Sequence, residues 1–318
     1  MYDVHTHFVP ASVLEWLRDN RARIPATWEE RIPGKAPFLT VNQKWSFEFK
    51  PAFHDERVYL ADQAAAGVVH SLVSPIPQLF LYDLPKEITD EAARVYNDAL
   101  AEWVSQHSNR LSGLATVPLN GGERAAGVLE SALSAGLLGA IVGPGAGGAL
   151  LSDPDFRAFW EVADANQAIV FVHPLLNEDP RIQKHRMPNL IGVPWETTLC
   201  ALDLILSGTL DRYPHARVLL AHGGGFLPYQ IGRYEQGYEV WPTLQQSLEA
   251  PPSEYLRRMY YDSVLWHPRA LALLTELVGA ERVMPGSDYP FDLSVWPPAG
   301  TVDLQHVEAF LGKRDTAC

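Results

Sequence analysis

Cysteine is nearly missing from this chain: Cys200 and Cys318 are the only two among 318 residues. They form neither a CxxC pair nor a disulfide framework, which fits a reducing cytosol. Positive charge is also in deficit. Lys and Arg number 25 against 38 Asp and Glu, a net charge of −13 spread along the whole chain. That balance argues against a nucleic-acid surface and against attraction to an anionic membrane. No uninterrupted apolar run reaches about 18 residues, so no membrane span is expected. No basic stretch leads into an apolar segment near residue 1, so a cytoplasmic location is expected rather than a secreted one. No GxGxxG follows a predicted strand, so a dinucleotide-binding fold lacks support.

What is present is a globular composition, 47% hydrophobic and 20% charged, in a chain long enough to bury a large core. Short apolar runs at 2–5, 68–73, 113–117, 139–142, 169–172, 218–221, 259–262 and 283–285 read as strands buried on both faces. Amphipathic segments lie between them. One around 88–107 has Thr89 or Asp90 as a cap, and one around 153–167 opens on Asp153-Pro154. A segment from 196 reads as one helix closed by Pro214. Eight strand–helix units in this length predict an α/β fold, a distorted (β/α)8 TIM barrel forming a single domain over 1–318. Residues 12–55 interrupt the alternation. They hold Pro25, Pro33-Gly34 and Pro37, then "KWSFEFK", in which Trp45, Phe47 and Phe49 alternate with polar residues. This predicts a small β-containing insertion over the barrel mouth.

The candidate site lies at strand ends. In "DVHTHFVP", His5 and His7 are two residues apart, so both side chains leave a strand on the same side. Neutral imidazoles are good ligands for zinc and similar metals. Barrel active sites form at the C-terminal ends of strands. Three more polar residues stand directly behind apolar strands: His173 in "IVFVHP", His222 in "VLLAHGGG" and Asp288 in "VMPGSDYP". Each alone is a weak signal. Together, behind strands 1, 5, 6 and 8, they predict a metal site.

The segments "DVHTHFVP", "FVHP", "IGVPWETT", "YPHARVLLAHGGGFLPYQIGR", "YYDSV" and "GSDYPF" resemble the amidohydrolase superfamily, and within it the aminocarboxymuconate-semialdehyde decarboxylase group. The resemblance runs from residue 2 to about 293. It implies one divalent metal, most often zinc, held by His5, His7, His173 and Asp288, with His222 as acid/base beside it. Related decarboxylases begin with ExH and often use manganese; His5 here favours zinc. A binuclear variant needs a lysine after strand 4, where this chain reads "LGAIVGPG". The implied activity is non-oxidative decarboxylation of a small aromatic or muconate-semialdehyde-like acid. The alternative at the same site is a hydrolase or hydratase acting on an amide, a lactone or a C–C bond. Asp288 would be a ligand and a second proton acceptor. The resemblance also implies a homodimer in which Arg233 reaches the neighbouring site to bind the substrate carboxylate. Phe291 in "DYPF" reads as an apolar wall over the substrate ring or as core packing. A second arginine of the family has no counterpart between residues 42 and 56, where Lys44 and Lys50 are the nearest cations. Asn189 stands where the family tends to have tryptophan, with Trp195 further on.

Overall fold

A computed structural model of the chain describes residues 1–299 and 303–312; Cys318 lies outside the described residues. Eight parallel strands surround one core: β1 (Tyr2–His7), β2 (His70–Ser74), β3 (Leu111–Gly113, continued by Ala115–Thr116), β4 (Gly139–Val142), β5 (Ile169–Val172), β6 (Arg217–Leu220), β7 (Tyr260–Asp262) and β8 (Val283–Met284). Each pairs with the next in sequence order, from Tyr2 against His70 to Asp262 against Met284. The ring closes just past β8. The Val4 N–H donates to Pro285 O, the Asp288 N–H to His5 O and the His7 N–H to Tyr289 O, each at 2.8 Å. The strands are short, and β3 is broken at Leu114, whose N–H donates to Val73 O. Those breaks are the distortion in the barrel. All residues of β1, β2, β4 and β5 are buried. This is why the strands read as continuous apolar runs and not as alternating ones.

Around the ring, helices bury one face each. Lys86–Gln106 buries Tyr96, Leu100 and Trp103. Trp103 stacks on Phe8 at 4.1 Å between ring centres. A fully buried aromatic of this kind contributes about 2–3 kcal/mol. The helix starts earlier than its sequence suggests. Neither Thr89 nor Asp90 caps it; it opens behind Pro85, and the Thr89 hydroxyl instead donates to Lys86 O and Asn120. Pro85 presets the entry φ, and its carbonyl accepts from the N–H groups of Ile88 and Thr89 at 2.9 and 3.2 Å. The segment expected as one helix to Pro214 is two, Val193–Leu206 and Thr209–Arg212, parted at Gly208 with φ +69°. A π-helical turn, Pro188–Gly192, precedes the first. The joined stretch Pro188–Leu206 is long and apolar enough to cross a bilayer by length and composition. It carries Glu196 and Asp203, and its Thr197, Cys200, Ala201, Leu204 and Ile205 are buried in the fold.

Between β1 and β2 the chain forms a helix, Ala11–Asp19, and then an antiparallel sheet of Ala26–Glu29, Phe38–Val41 and Phe47–Glu48. Leu39 pairs with both Trp28 and Phe47. The apolar alternation from Trp45 to Phe49 is therefore only partly a strand: two residues hydrogen-bond in the ladder, while Phe47 and Phe49 are both buried.

Candidate metal centre

The strand β1 runs to His7, two residues beyond the expected end, with a shift of pairing register between Asp3 and Thr6, and both histidine rings face one side. Their Nε2 atoms are 3.1 Å apart. Each ring is turned by a fixed acceptor at Nδ1. His5 Nδ1 meets Asp262 Oδ2 at 2.5 Å, His7 Nδ1 meets Pro75 O at 2.9 Å and His173 Nδ1 meets Pro174 O at 3.0 Å. A carbonyl or carboxylate can only accept, so Nδ1 carries the proton in all three. In the neutral imidazoles, all three Nε2 atoms therefore present lone pairs to one centre. Asp288 Oδ1 faces the same centre, 3.1 Å from His7 Nε2 and 3.3 Å from His5 Nε2. The His173 ring lies 5.1 Å from that of His5 and 5.2 Å from that of His7, and its buried Nε2 has no hydrogen-bond partner among the described residues.

Four electron-rich atoms converging in a buried space repel one another unless a cation lies between them. With metal–ligand bonds of about 2.1 Å, ligand atoms sit about 3.0 Å apart in an octahedron and about 3.4 Å apart in a tetrahedron. The observed 3.1–3.3 Å edges match such a shell. His5, His7, His173 and Asp288 thus fit one divalent metal.

The charges respond in the same sense. Burial opposes a positive His5, but Asp288 and Asp262 outweigh it and push that imidazole up to about 10. Burial lowers His7, and burial with the neighbouring imidazoles holds His173 well below its usual range. Burial alone would raise Asp288, but His5, His222 and His7 hold its carboxyl well below the ordinary carboxylate range. A proton on His5 and a bound metal answer the same negative charge, so metal uptake releases a proton at neutral pH.

His222 stands apart from the three-atom triangle. Its Nε2 is 3.5 Å from Asp288 Oδ2, and its buried Nδ1 lacks a partner among the described residues. Nitrogens of His5, His173 and His222 and an oxygen of Asp288 nevertheless all fall within 4.8 Å of one another, so a ligand set with His222 in place of His7 is also conceivable by proximity. The shorter distances and the fixed Nδ1 favour His7 as the ligand. His222 has φ +54° and Asp288 φ +62°, a left-handed backbone uncommon outside glycine. Three glycines extend that conformation after His222. At Gly225, φ +65°, an added Cβ would lie 2.3 Å from Pro194 O.

Asp262 was not singled out by the sequence reading. Beyond the His5 bond, it accepts from the N–H groups of His222 and Gly223, both at 2.9 Å. One carboxylate thus orients a metal-facing imidazole and the backbone that carries His222. It sits directly behind the apolar end of β7, the same signal that marked His173.

A cavity of about 1030 Å³ opens over the cluster, near the top of the range for small-molecule sites. His173, His222 and Asp288 form its floor, and Trp45, Phe47 and Phe291 part of its wall. Phe291 packs 5.2 Å from the His7 ring and 4.9 Å from Phe53, and lies parallel to Trp45. Asn189 lines the cavity; Trp195 and Arg233 do not. Arg233 is exposed on the helix Ile231–Val240. Lys44 is tied to Asp83 and Glu178, and Lys50 to Asp292 at 2.6 Å.

Comparison with known proteins agrees with this architecture. The sequence profile of the amidohydrolase family matches residues 2–316. The chain belongs to that family. It is 29% identical over 308 residues to the 2-amino-3-carboxymuconate-6-semialdehyde decarboxylase of Dictyostelium discoideum, covering 95% of this chain and 84% of that one. It is 27% identical to the gamma-resorcylate decarboxylase of Rhodococcus jostii, covering 88% and 86%. Among solved structures, the 5-carboxyvanillate decarboxylase of Sphingomonas paucimobilis superposes with a TM-score of 0.76 at 24% identity, over 91% of this chain and 88% of that one. The corresponding Novosphingobium aromaticivorans enzyme, solved with manganese, gives 0.75 at 21% identity, over 92% and 86%.

Proposed function

We propose that this chain is a metal-dependent carboxy-lyase that removes CO2, without an oxidant, from a small aromatic or muconate-like carboxylic acid. The observation that carries the reading is the convergence of three imidazole Nε2 atoms and Asp288 on one centre beside His222, under a cavity walled by aromatic rings. The decarboxylase names of relatives matched over more than four-fifths of their length support it.

His5, His7, His173 and Asp288 would hold the ion. Zinc is the reading His5 favours; manganese, present in a structural neighbour, is the alternative. When bound, the metal supplies positive charge against which a carboxylate or phenolate is polarised. His222 holds a proton at Nε2. As the C–C bond breaks, its electron pair remains on the ring carbon, the proton moves there, and CO2 leaves. Asp288, 3.5 Å away, stabilises the charged imidazole. Phe291 and Trp45 confine the ring and exclude water. We also propose a homodimer in which Arg233 meets the substrate carboxylate of the neighbouring site. Exposed Phe226, Tyr229 and Trp241 flank Arg233 in sequence, and large exposed apolar groups of this kind mark interfaces. A reducing, cytoplasmic setting suits the buried free Cys200 thiol.

The test is carbon accounting. Carboxyl-labelled 2,6-dihydroxybenzoate and related ortho-hydroxy acids should yield labelled CO2 and one equivalent of the protonated product in metal-loaded enzyme. Incorporation of solvent oxygen into the carbon product, with no CO2, would establish the hydrolase or hydratase alternative instead.

A further inference from the structure

The metal donors account for one anionic end of a substrate, and that end lies on the buried floor. The rim of the same cavity carries cations the mechanism does not use. Lys184, His185 and Arg186 are consecutive, exposed, and all line the cavity. Among the described residues, neither Lys184 nor Arg186 has an ion-pair partner, in contrast to Lys44 and Lys50. The acids lining the cavity are Glu48, Asp288 and Asp292; Asp288 belongs to the donor cluster and Lys50 holds Asp292.

This turn is also held in an unfavourable shape. His185 has φ +55° and Arg186 φ +59°, two consecutive non-glycine residues in the left-handed region. Such strain persists only where surrounding structure enforces it. Here the Met187 N–H closes the turn on Lys184 O at 2.9 Å, and Gln183, just before it, donates from Nε2 to Asn177 O and Asp179 O at 2.9 Å. Directly after it comes the π-helical turn Pro188–Gly192, a feature that recurs at functional sites. A merely solvated basic loop needs none of this.

We propose that the turn of Lys184, His185 and Arg186 binds a second anionic group of the substrate, distal to the metal, so that the enzyme prefers diacids. The proposal rests on the decarboxylase reading: one carboxyl faces His222 and the metal donors and is lost, while the other faces the rim and is retained. Arg186 supplies a two-pronged donor for a carboxylate and Lys184 a point charge.

Two acids differing only in the distal group test this: 5-carboxyvanillate, and 2-hydroxy-3-methoxybenzoate, which lacks its second carboxylate. Calorimetric titration and CO2 release are measured for metal-loaded wild type, Arg186→Met, Arg186→Lys and the double variant Lys184→Met/Arg186→Met. For the diacid, Arg186→Met should weaken binding and raise KM about tenfold, the double variant more, with kcat little changed; Arg186→Lys should recover part of the loss. For the monoacid all four proteins should agree within about twofold. Equal effects on both acids, or none on either, would overturn the assignment, as would a wild type that binds neither acid. If the diacid is bound selectively but releases no CO2, the turn's role stands and the decarboxylase reading falls.

Discussion

At the cavity floor and directly beneath it, His173, His5 and His7 are buried, their Nδ1 atoms held by Pro174, Asp262 and Pro75, and their Nε2 atoms face one point. On the rim, Lys184, His185 and Arg186 are exposed, and their turn is closed by the Met187 N–H donating to Lys184 O. The floor stands on strand ends, where parallel pairing on both sides fixes each backbone position. The rim stands on loops and on the inserted sheet, whose length and side chains can change without disturbing the barrel. A fold divided this way keeps its chemistry while its substrate changes.

That contrast can be broken by substitution. The largest effect is expected from Asp288→Ala, which removes the only carboxylate in the donor set and leaves the imidazoles uncompensated. Several kcal/mol of charge stabilisation are lost with the metal, so turnover should fall about a thousandfold, with metal content falling in parallel by elemental analysis. Next is Asp262→Asn. Its single amide oxygen can accept from the N–H of His222 or from that of Gly223 but not from both, and the side chain no longer holds His5 as a carboxylate does. Metal affinity should drop about 10–100-fold in competition with a chelator, while the folded state persists by circular dichroism. Gly225→Ala tests the backbone that carries His222. A Cβ there meets Pro194 O at 2.3 Å, so about 1–3 kcal/mol of stability should be lost in denaturant titration. The smallest is Phe291→Ala, which opens the wall without removing a donor. KM should rise about three- to tenfold with metal content unchanged. A variant on the wall that empties the metal site would erase the distinction between floor and wall.

The barrel was legible because strands buried on both faces leave unbroken apolar runs, and its eight strands fall close to those runs. The floor was legible because polar residues at the ends of such runs are rare: His173, His222 and Asp288 obey that rule, and His5 and His7 were marked by their two-residue spacing within β1. Asp262 obeys it too, but a carboxylate behind "MYY" does not show that its partner is His5, 257 positions away. The rim was not legible. Lys44 and Lys50 were the nearest cations by position, yet their partners Asp83, Glu178 and Asp292 come from distant segments. Nothing in the periodicity of 183–192 shows that this loop crosses the cavity. The early start of the helix at Lys86 was hidden for a local reason: Pro85 opens it without a capping side chain, while Thr89 and Asp90, which could cap a helix, lie inside it.

The division of labour on the floor itself is tested most directly by the metal stoichiometry of His222→Ala, read together with its rate of CO2 release. His5, His7, His173 and Asp288 complete the donor set without His222. The variant should therefore keep one divalent metal per chain while CO2 release falls at least about a hundredfold. A metal-free variant would make His222 a ligand, and a metal-loaded variant with undiminished turnover would remove it from the chemistry; either result contradicts the account.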